Sequence, residues 1–485
     1  MSICVHPWLN IMTNLVPTIG LETHVQLNTR TKIWCGCCVE AGAEPNTNVC
    51  PVCMGYPGSL PVLNKQAVKK TVQTGLLLGC DIGMSSKHDR KSYFYPDMPK
   101  NYQITQYDQP LVLGGALSFE VEGKEYTVRI NRIHLEEDVG KSTHLRGASG
   151  VDYNRAGTPL MEIVTEADIH SADEAFGYLS ALKRILEYGG VSDCNLEMGN
   201  IRCDVNVSVA EEGAPLGTKA EIKNMNTFRG VHRALQYEIK RQTKAVQEGE
   251  PLVQETRRWD DDQGRTSSMR TKEDAHDYRY FPDPDLAAIV LNEQQLQEWT
   301  SELPELPAVR QKRFVEDYGL PEYDAGVLVS DVEIAEYFEN VVAAAKGNAK
   351  GASNWVMTEI MRVLSEKGIT ASELKISAEN VGNLISLVDQ KTLNGPKAKE
   401  VFAILVEEGG DPEKVVKEKG WAQVNDAGAI EAFVDQVIQE NPGPVEDYKS
   451  GKKAALQFLM GQVMRLSKGK ANPKSVSELL KERLA

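Results

Sequence analysis

Four cysteines lie close together near the start of the chain, as the pairs Cys35-Gly36-Cys37 and Cys50-Pro51-Val52-Cys53. Two thiolate pairs separated by a short loop can enclose one tetrahedral ion, and this spacing is typical of zinc. The loop between them contains Gly42, Pro45 and Asn46, which favour turns. Four thiolates leave no position for a bound water. The spacing therefore predicts a structural zinc site rather than a catalytic ion, with Cys35, Cys37, Cys50 and Cys53 as ligands.

A second set of candidate ligands consists of acidic residues and one histidine in segments with strand-like patterns. They are Glu22 and His24, the run Glu136–Asp138, Glu162 and Asp204. Glu22 and His24 are two residues apart, so on a strand both side chains point to one face. Carboxylates with an imidazole suit Mg²⁺ or Mn²⁺, which keep waters for a nucleotide's phosphates. The alternatives are a solvated strand edge for the acidic run and a hydrogen-bonded polar residue for His24.

One motif resembles a phosphate-binding loop but fails the full pattern. Gly140-Lys141-Ser142-Thr143 matches only the end of G-x-x-x-x-G-K-[ST], because Leu135 stands where the first glycine is required. The residues between include the acidic run, whose charge would oppose phosphate. If the protein binds ATP, we therefore expect a structural element other than a P-loop to bind it.

Hydrophobic periodicity predicts a strand-rich front and a helical back. Leu117–Val121 and Tyr126–Ile130 alternate on either side of a turn at Glu122-Gly123-Lys124, which predicts a hairpin of an antiparallel sheet. Ile201–Val209 has an apolar residue at every odd position, so its polar side chains should share one face. These are Arg202, Asp204, Asn206 and Ser208.

The pattern changes after residue 300, and the predicted fold class is α+β. A capping box at Ser171 and Glu174 opens a helix that should stop at Gly189-Gly190. Leu303–Pro307 resembles a linker, and Gly409–Pro412 marks a second boundary. We therefore expect a large N-terminal antiparallel-sheet domain with the zinc loop (16–305), a helical linker domain (306–410) and a small all-α C-terminal domain (411–485).

Charge and cysteine usage limit the possible settings of the protein. The formal net charge of −15 argues against indiscriminate binding of nucleic acid by the whole surface. The stretch 449–474 is different, because it has basic residues and no Asp or Glu; they are Lys449, Lys452, Lys453, Arg465, Lys468, Lys470 and Lys474. The cysteines outside the cluster are scattered singly, which favours a reducing, cytoplasmic location.

The N-terminus and the apolar runs give no sign of targeting. The first twenty residues lack arginine and are interrupted by prolines, so a signal or transit peptide is not expected. No apolar run is long enough to span a bilayer, and no membrane association is predicted. Met12 is an alternative start to Met1.

A series of longer motifs resembles one family in order along residues 16–485: the B subunit of the aspartyl/glutamyl-tRNA amidotransferase. The most specific is Asp152-Tyr153-Asn154-Arg155-Ala156-Gly157-Thr158-Pro159-Leu160-Met161-Glu162. The others are Ile19–His24, Pro45–Cys53, Tyr93–Asp97, Glu221–Asn226 and Ala275–Pro282. The resemblance implies a cradle-shaped catalytic N-terminal domain and a tRNA-binding helical tail.

The resemblance also implies an activity and the residues that perform it. The enzyme would be a ligase that forms carbon–nitrogen bonds, in which ATP phosphorylates the side-chain carboxylate of misacylated Glu-tRNA(Gln), Asp-tRNA(Asn) or both. Ammonia from glutamine would then give the amide. The residues matching His24, Glu137 and Glu162 would be magnesium ligands, and Glu22 a further ligand or activating group. Asp204 and Glu221 would line the same pocket, and Lys223 and Asn224 would lie at the nucleotide.

Arg155 and the basic tail each allow two interpretations. Arg155 could offset phosphate charge, because a guanidinium matches phosphate oxygens bidentately, or it could be a structural arginine in a Gly-Pro loop. The tail could contact tRNA phosphates or form an ordinary solvated surface.

The resemblance implies partners that supply what this chain lacks. The clustered thiols are assigned to zinc, and no serine pairs convincingly with a base, so a glutaminase is not expected here. The A subunit of the amidotransferase would release ammonia, and the C subunit would complete a heterotrimer. The main alternative is a non-catalytic zinc-ribbon tRNA-binding module. An independent kinase or ligase is another, and it would be active as a single chain.

Overall fold

The computed structural model describes residues 14–40, 42–196, 198–271, 278–421, 427–452, 454–467, 471 and 473–484. Within it the chain divides into two compact units, Met1–Leu306 and Pro307–Ala485. Both candidate start residues, Met1 and Met12, lie outside the described residues, as do 275–277 of the last family motif. None of the described helices is long and apolar enough to cross a membrane.

The first unit is built from seventeen strands and four helices among the described residues. The strands are β1 (Leu15–Gln26), β2 (Asp81–Ile82), β3 (Ser85–Ser86), β4 (Asp89–Ser92), β5 (Tyr102–Thr105), β6 (Val112–Leu113), β7 (Ala116–Val121), β8 (Lys124–Glu137), β9 (Lys141–Leu145), β10 (Ala148–Asp152), β11 (Pro159–Thr165), β12 (Ile201–Glu211), β13 (Ala220–Lys223), β14 (Glu255–Asp260), β15 (Arg265–Thr271), β16 (Phe281–Pro282) and β17 (Ile289–Val290). The helices are α1 (Lys65–Leu77), α2 (Ala172–Tyr188), α3 (Phe228–Glu248) and α4 (Glu293–Ser301).

A ten-stranded sheet organises this unit, in the order β15-β14-β13-β12-β1-β11-β8-β6-β2, with β7 also paired to β8. The prediction of an antiparallel sheet is wrong for one pair, because β13 and β14 run parallel and make the sheet mixed. The physical reason is the connection between them. Parallel neighbours need a crossover of a dozen or more residues, and α3 provides it.

The predicted alternation is confirmed on the strands that matter for the site. Along β1 the apolar residues Ile19, Leu21 and Val25 are buried on one face, which leaves Glu22 and His24 on the other. β12 alternates in the same way, and its unbroken pairing with β1 keeps Ser208 on the predicted polar face, although that side chain is buried. One face of the sheet is therefore a core and the other carries the polar side chains.

Local signals for turns and caps are also confirmed. β7 and β8 form the predicted hairpin. Glu122 and Gly123 both have positive φ (52° and 78°), as a two-residue type I′ turn requires. The Ser171 side chain accepts a hydrogen bond from the backbone N–H of Glu174, and α2 ends before Gly189. These elements place α2 against α3 and β7, and α3 against β12.

The regular elements described in the second unit are all helices, including a π-helical segment, Val356–Ile360, and a 3₁₀ turn, Ala371–Glu373. Its helices are α5 (Pro307–Tyr318), α6 (Glu322–Leu328), α7 (Val332–Ala344), α8 (Ala349–Trp355), α9 (Met361–Lys367), α10 (Ala378–Asp389), α11 (Gly395–Glu408), α12 (Pro412–Lys419), α13 (Ala427–Glu440), α14 (Pro442–Lys449), α15 (Ala454–Leu466) and α16 (Pro473–Leu484). One apolar cluster runs from Phe314 to Val416 and another from Ile430 to Leu484. The finer division into domains at 305/306 and 410/411 stays a prediction.

Candidate active site and metal centre

Four neighbouring strands bring polar side chains into one row across the sheet. His134 on β8 pairs with Glu162 on β11, Glu162 pairs with His24 on β1, and His24 pairs with Arg202 on β12. Paired residues on adjacent strands lie on the same face, so residues distant in sequence meet here. The convergence that the sequence could not establish is produced by the strand register.

A cluster of two carboxylates and one imidazole lies in this row. Single ligand atoms from His24, Glu136 and Glu162 come within 4.8 Å of one another. His24 Nε2 is 3.7 Å from Glu136 Oε1 and 3.7 Å from Glu162 Oε2. Two carboxylates with one imidazole form a donor set that Mg²⁺ or Mn²⁺ accepts, and the partial exposure of His24 and Glu162 leaves room for a ligand.

Glu137 lies on the opposite face from this cluster. Glu136 pairs with Leu160 and Glu137 with Pro159, and consecutive strand residues point to opposite sides. The buried Glu137 carboxylate accepts from Lys100 Nζ at 2.5 Å and from the Ile104 backbone N–H at 2.9 Å. The structure therefore groups Glu136 with His24 and Glu162, where the resemblance implied Glu137.

His134 is a member of the site that sequence reasoning missed. Its Nε2 is 3.1 Å from Glu162 Oε2, and its ring is buried. Burial lowers the pKa of His134, but the charges of Glu162 and Glu136 outweigh burial and raise it to about 9. Burial raises the pKa of Glu162, but the charge of His134 and its hydrogen bond outweigh burial and hold that pKa below its usual range. The alternation His134-Leu135-Glu136 was the available signal.

A second group of predicted residues lies beside the cluster on the same face. Glu22 pairs with Asp204, and Asn206 Nδ2 donates to Glu22 Oε1 at 2.9 Å. Lys223 Nζ lies 2.5 Å from Asp204 Oδ2 and 2.8 Å from Glu221 Oε1. Burial and then the negative charge of Glu162 raise the pKa of Glu22. The pairing of β1 with β12 and the ion pairs of Lys223 thus bring these predicted residues together.

Asn224 was predicted to lie at the nucleotide together with Lys223, but its side chain forms a hydrogen bond to the neighbouring strand. It takes positive φ (71°) at the end of β13, and its Nδ2 donates to the backbone carbonyl of Trp259 at 3.1 Å. This hydrogen bond links the end of β13 to β14. The predicted place of Asn224 at a nucleotide stays a prediction.

Asp138 is a buried junction for two arginines. Its Oδ1 lies 3.1 Å from Arg202 Nη2, and its Oδ2 accepts from Gln26 Nε2 at 2.8 Å and lies 3.6 Å from Arg155 Nε. Burial raises the pKa of Asp138, but the two guanidinium groups outweigh it and lower the pKa below its usual value. Arg155 also donates to the carbonyls of Val139 and Gly140. These bonds favour the structural interpretation of Arg155.

The four clustered cysteines converge as the spacing predicted. One Sγ atom from each of Cys35, Cys37, Cys50 and Cys53 lies within 4.8 Å of the others. Four thiols gathered around one point form the donor set of a closed zinc site. The donor set therefore fits zinc.

Hydrogen bonds join the loop between Cys37 and Cys50 to the start of the family motif at 152–162. Asn46 donates from its backbone N–H to Asp152 Oδ1 at 3.0 Å and accepts from the Tyr153 backbone N–H at 2.8 Å. The Asn48 backbone N–H donates to Asn154 Oδ1 at 2.8 Å. The motif that leads into β11 and Glu162 is therefore positioned by the loop that the cysteines close.

Comparison with known proteins agrees with this architecture. Residues 17–297 match the family model described as the GatB/GatE catalytic domain, and residues 336–484 match the one described as the GatB domain. Proteins named as the B subunit of aspartyl/glutamyl-tRNA(Asn/Gln) amidotransferase are similar along nearly their whole length. The relative from Caldicellulosiruptor saccharolyticus is 51% identical over 472 residues, covering 96% of this chain and 98% of that protein. The relative from Persephonella marina is 48% identical over 469 residues, covering 96% and 99%.

Proposed function

The chain belongs to the family of aspartyl/glutamyl-tRNA(Asn/Gln) amidotransferase B subunits, and from that premise we propose how its sheet face activates a carboxylate for amidation. It is the B subunit of a tRNA-dependent amidotransferase, a ligase that forms carbon–nitrogen bonds with glutamine as the nitrogen source. The substrate is the side-chain carboxylate of misacylated Glu-tRNA(Gln), Asp-tRNA(Asn) or both.

The reaction needs activation because a carboxylate has no acceptable leaving group. An oxygen of the substrate carboxylate attacks the γ-phosphorus of ATP, which forms an acyl phosphate and releases ADP. Ammonia then attacks the acyl carbon, and phosphate leaves with the bonding electrons while the nitrogen loses a proton. In phosphoryl transfer the protein chiefly positions the reactants and balances charge.

The cluster on the sheet supports this chemistry. His24, Glu136 and Glu162 would hold Mg²⁺ or Mn²⁺, which when bound supplies positive charge to the phosphoryl oxygens. His134 orients the Glu162 carboxylate through its 3.1 Å contact. Asp204 and Glu221 hold the Lys223 ammonium on the same face of the sheet as Glu22. The rigid β-sheet keeps these groups in register.

In this proposal the loop closed by the four cysteines has a structural role. Cys35, Cys37, Cys50 and Cys53 would hold Zn²⁺, which when bound closes the loop. The bonds from Asn46 and Asn48 then position the motif at 152–154. The chemical step does not use the thiols.

Partners complete the reaction. The A subunit would hydrolyse glutamine and deliver ammonia, and the C subunit would complete the heterotrimer. The scattered cysteines, free in the described part of the chain, are consistent with a cytoplasmic location.

The convergence of His24, Glu136 and Glu162 is the observation that carries the proposal. A zinc-ribbon tRNA-binding module has no use for these three ligands. The test is the reconstituted heterotrimer, given each misacylated tRNA, ATP and glutamine, with the amidated aminoacyl-tRNA measured. We expect amidation that depends on ATP cleavage. Binding of tRNA without ATP cleavage would support the module instead.

The helical tail provides a prediction about tRNA affinity. Lys449 and Arg465 are exposed, whereas Lys452 is paired with Asp447 at 2.9 Å, and Lys453, Lys468 and Lys470 lie outside the described residues. If Lys449 and Arg465 contact phosphates, replacing both by alanine should flatten the slope of log affinity against log salt by about 1.4 to 1.8. The control replaces Lys312 and Lys244, which are exposed cations near glutamates outside the C-terminal domain. Equal slopes for both double variants would contradict a phosphate-binding tail.

A further inference from the structure

Lys91 is a partly buried cation that neither the sequence patterns nor the family resemblance assigned to the site. It lies on β4 opposite Gln103 of β5, and Gln103 Nε2 donates to the backbone carbonyl of Glu137 at 2.7 Å. Paired residues of antiparallel strands lie on the same face, so the Lys91 side chain lies on the side of β4 from which Gln103 reaches the end of β8. Burial lowers the pKa of Lys91, but the charges of Glu136 and of three other groups outweigh burial and raise it, which agrees with this placement.

The other cations around the site are already paired. Lys100 binds Glu137, Lys223 binds Asp204 and Glu221, and Arg202 binds Asp138. Lys91 differs, since no hydrogen bond or ion pair to any described residue engages its Nζ. An ammonium has three donors, and leaving them unused where water is partly excluded is unfavourable unless a ligand accepts them.

An aromatic ring holds the ammonium from one side. Lys91 Nζ lies 4.8 Å from the centre of the Tyr278 ring, a cation–π contact that uses none of its N–H donors. The ring is held over β4 because the Ser92 backbone N–H donates to the Tyr278 carbonyl at 2.8 Å. The donors of Lys91 are therefore available to an anion on the side of the cluster.

We propose that Lys91 is a catalytic phosphate contact, whose ammonium binds an oxygen of the γ-phosphoryl group while His24, Glu136 and Glu162 organise the opposite side. This rests on the proposed function, because it assigns the same site a second source of positive charge. A compact ammonium suits the role, since the transferring group spreads negative charge over three equatorial oxygens. The substrate carboxylate is another anion in the site, so the test separates the two.

The experiment compares Lys91→Met, Lys91→Arg and Lys124→Met in the heterotrimer. Lys124 is the matched control, because its Nζ lies 4.7 Å from the Tyr126 ring centre on the hairpin, away from the cluster. Lys91→Met should lower kcat for tRNA-dependent ATP cleavage by roughly 10²- to 10³-fold, with partial recovery in Lys91→Arg. Lys124→Met should match the wild type. The KM for aminoacyl-tRNA and the affinity for Mn²⁺ should be preserved in Lys91→Met.

Other results would overturn the inference. A raised KM for aminoacyl-tRNA at unchanged kcat would assign Lys91 to the substrate, and weakened Mn²⁺ binding would make it structural. Binding of Mg-ADP with aluminium fluoride, without tRNA, is measured in parallel and should weaken at least tenfold in Lys91→Met. If the wild type failed to cleave ATP, the proposed function would fail, and this binding assay would still decide whether Lys91 contacts phosphate.

Discussion

Replacing Glu136 by glutamine is expected to slow ATP cleavage strongly, whereas the same change at Glu137 should chiefly lower stability. Glu136 faces His24 and Glu162, so its amide would remove a charged ligand from the metal centre. A divalent cation in phosphoryl transfer contributes several kcal/mol, so the rate should fall by roughly 10³-fold. Binding of Mn²⁺ should weaken in parallel.

Glu137→Gln has a different physical effect because its partner is Lys100. Both side chains are largely buried, with Lys100 10% and Glu137 2% exposed. The amide leaves the ammonium without a counter-charge, which costs about 3–5 kcal/mol when one member of a buried pair is removed. Its Mn²⁺ affinity should stay close to that of the wild type.

The two neighbouring glutamates serve as controls for each other. Mn²⁺ titration, thermal unfolding and tRNA-dependent ATP cleavage are measured on both variants, with glutaminase activity of the heterotrimer as evidence of assembly. A Glu137→Gln variant that unfolds normally but no longer binds Mn²⁺ would support Glu137 as the metal ligand, as the resemblance implied. A Glu136→Gln variant with normal Mn²⁺ binding would remove Glu136 from the site.

Replacing Cys50 by serine should remove the bound zinc and several kcal/mol of stability before it affects the chemical step. Structural zinc sites contribute about 10–16 kcal/mol of binding free energy in small peptides, although a chain with a large core depends on them less. Losing the ion should release the loop containing Asn46 and Asn48, and with it the motif at 152–154.

Cys38 provides the matched control for this prediction. It is the neighbour of Cys37, it is exposed, and it lies outside the group of four. Cys38→Ser should keep one zinc per chain and the wild-type unfolding temperature. Zinc content is measured by elemental analysis and stability by thermal unfolding. A Cys50→Ser variant that kept its zinc, or unfolded like the wild type, would contradict the structural role.

Short-range patterns in the sequence predicted a substantial part of the site. A period of two placed Glu22 and His24 on one face of β1, and it placed Arg202, Asp204 and Asn206 on the matching face of β12. The cysteine spacing predicted the group of four. These inferences hold because a strand's alternation and a knuckle's geometry are set by residues a few positions apart.

The acidic run by itself did not choose between Glu136 and Glu137. Alternation places His134 and Glu136 on one face, but only the pairing of β8 with β11 shows that this face carries Glu162. Register is set by contacts between strands far apart in sequence, and a shift of one residue reverses every side chain.

By itself, therefore, the sequence determined the family and the kind of chemistry and pointed to the types of ligand, because these follow from residue identity and local spacing. The tertiary structure alone decided that Glu136 joins His24 and Glu162, that Glu137 is bound to Lys100, and that Lys91 lies opposite Gln103 on β5. The reason is physical: which carboxylate meets which cation depends on strand order, register and a crossover helix, and none of these is a local property of the chain.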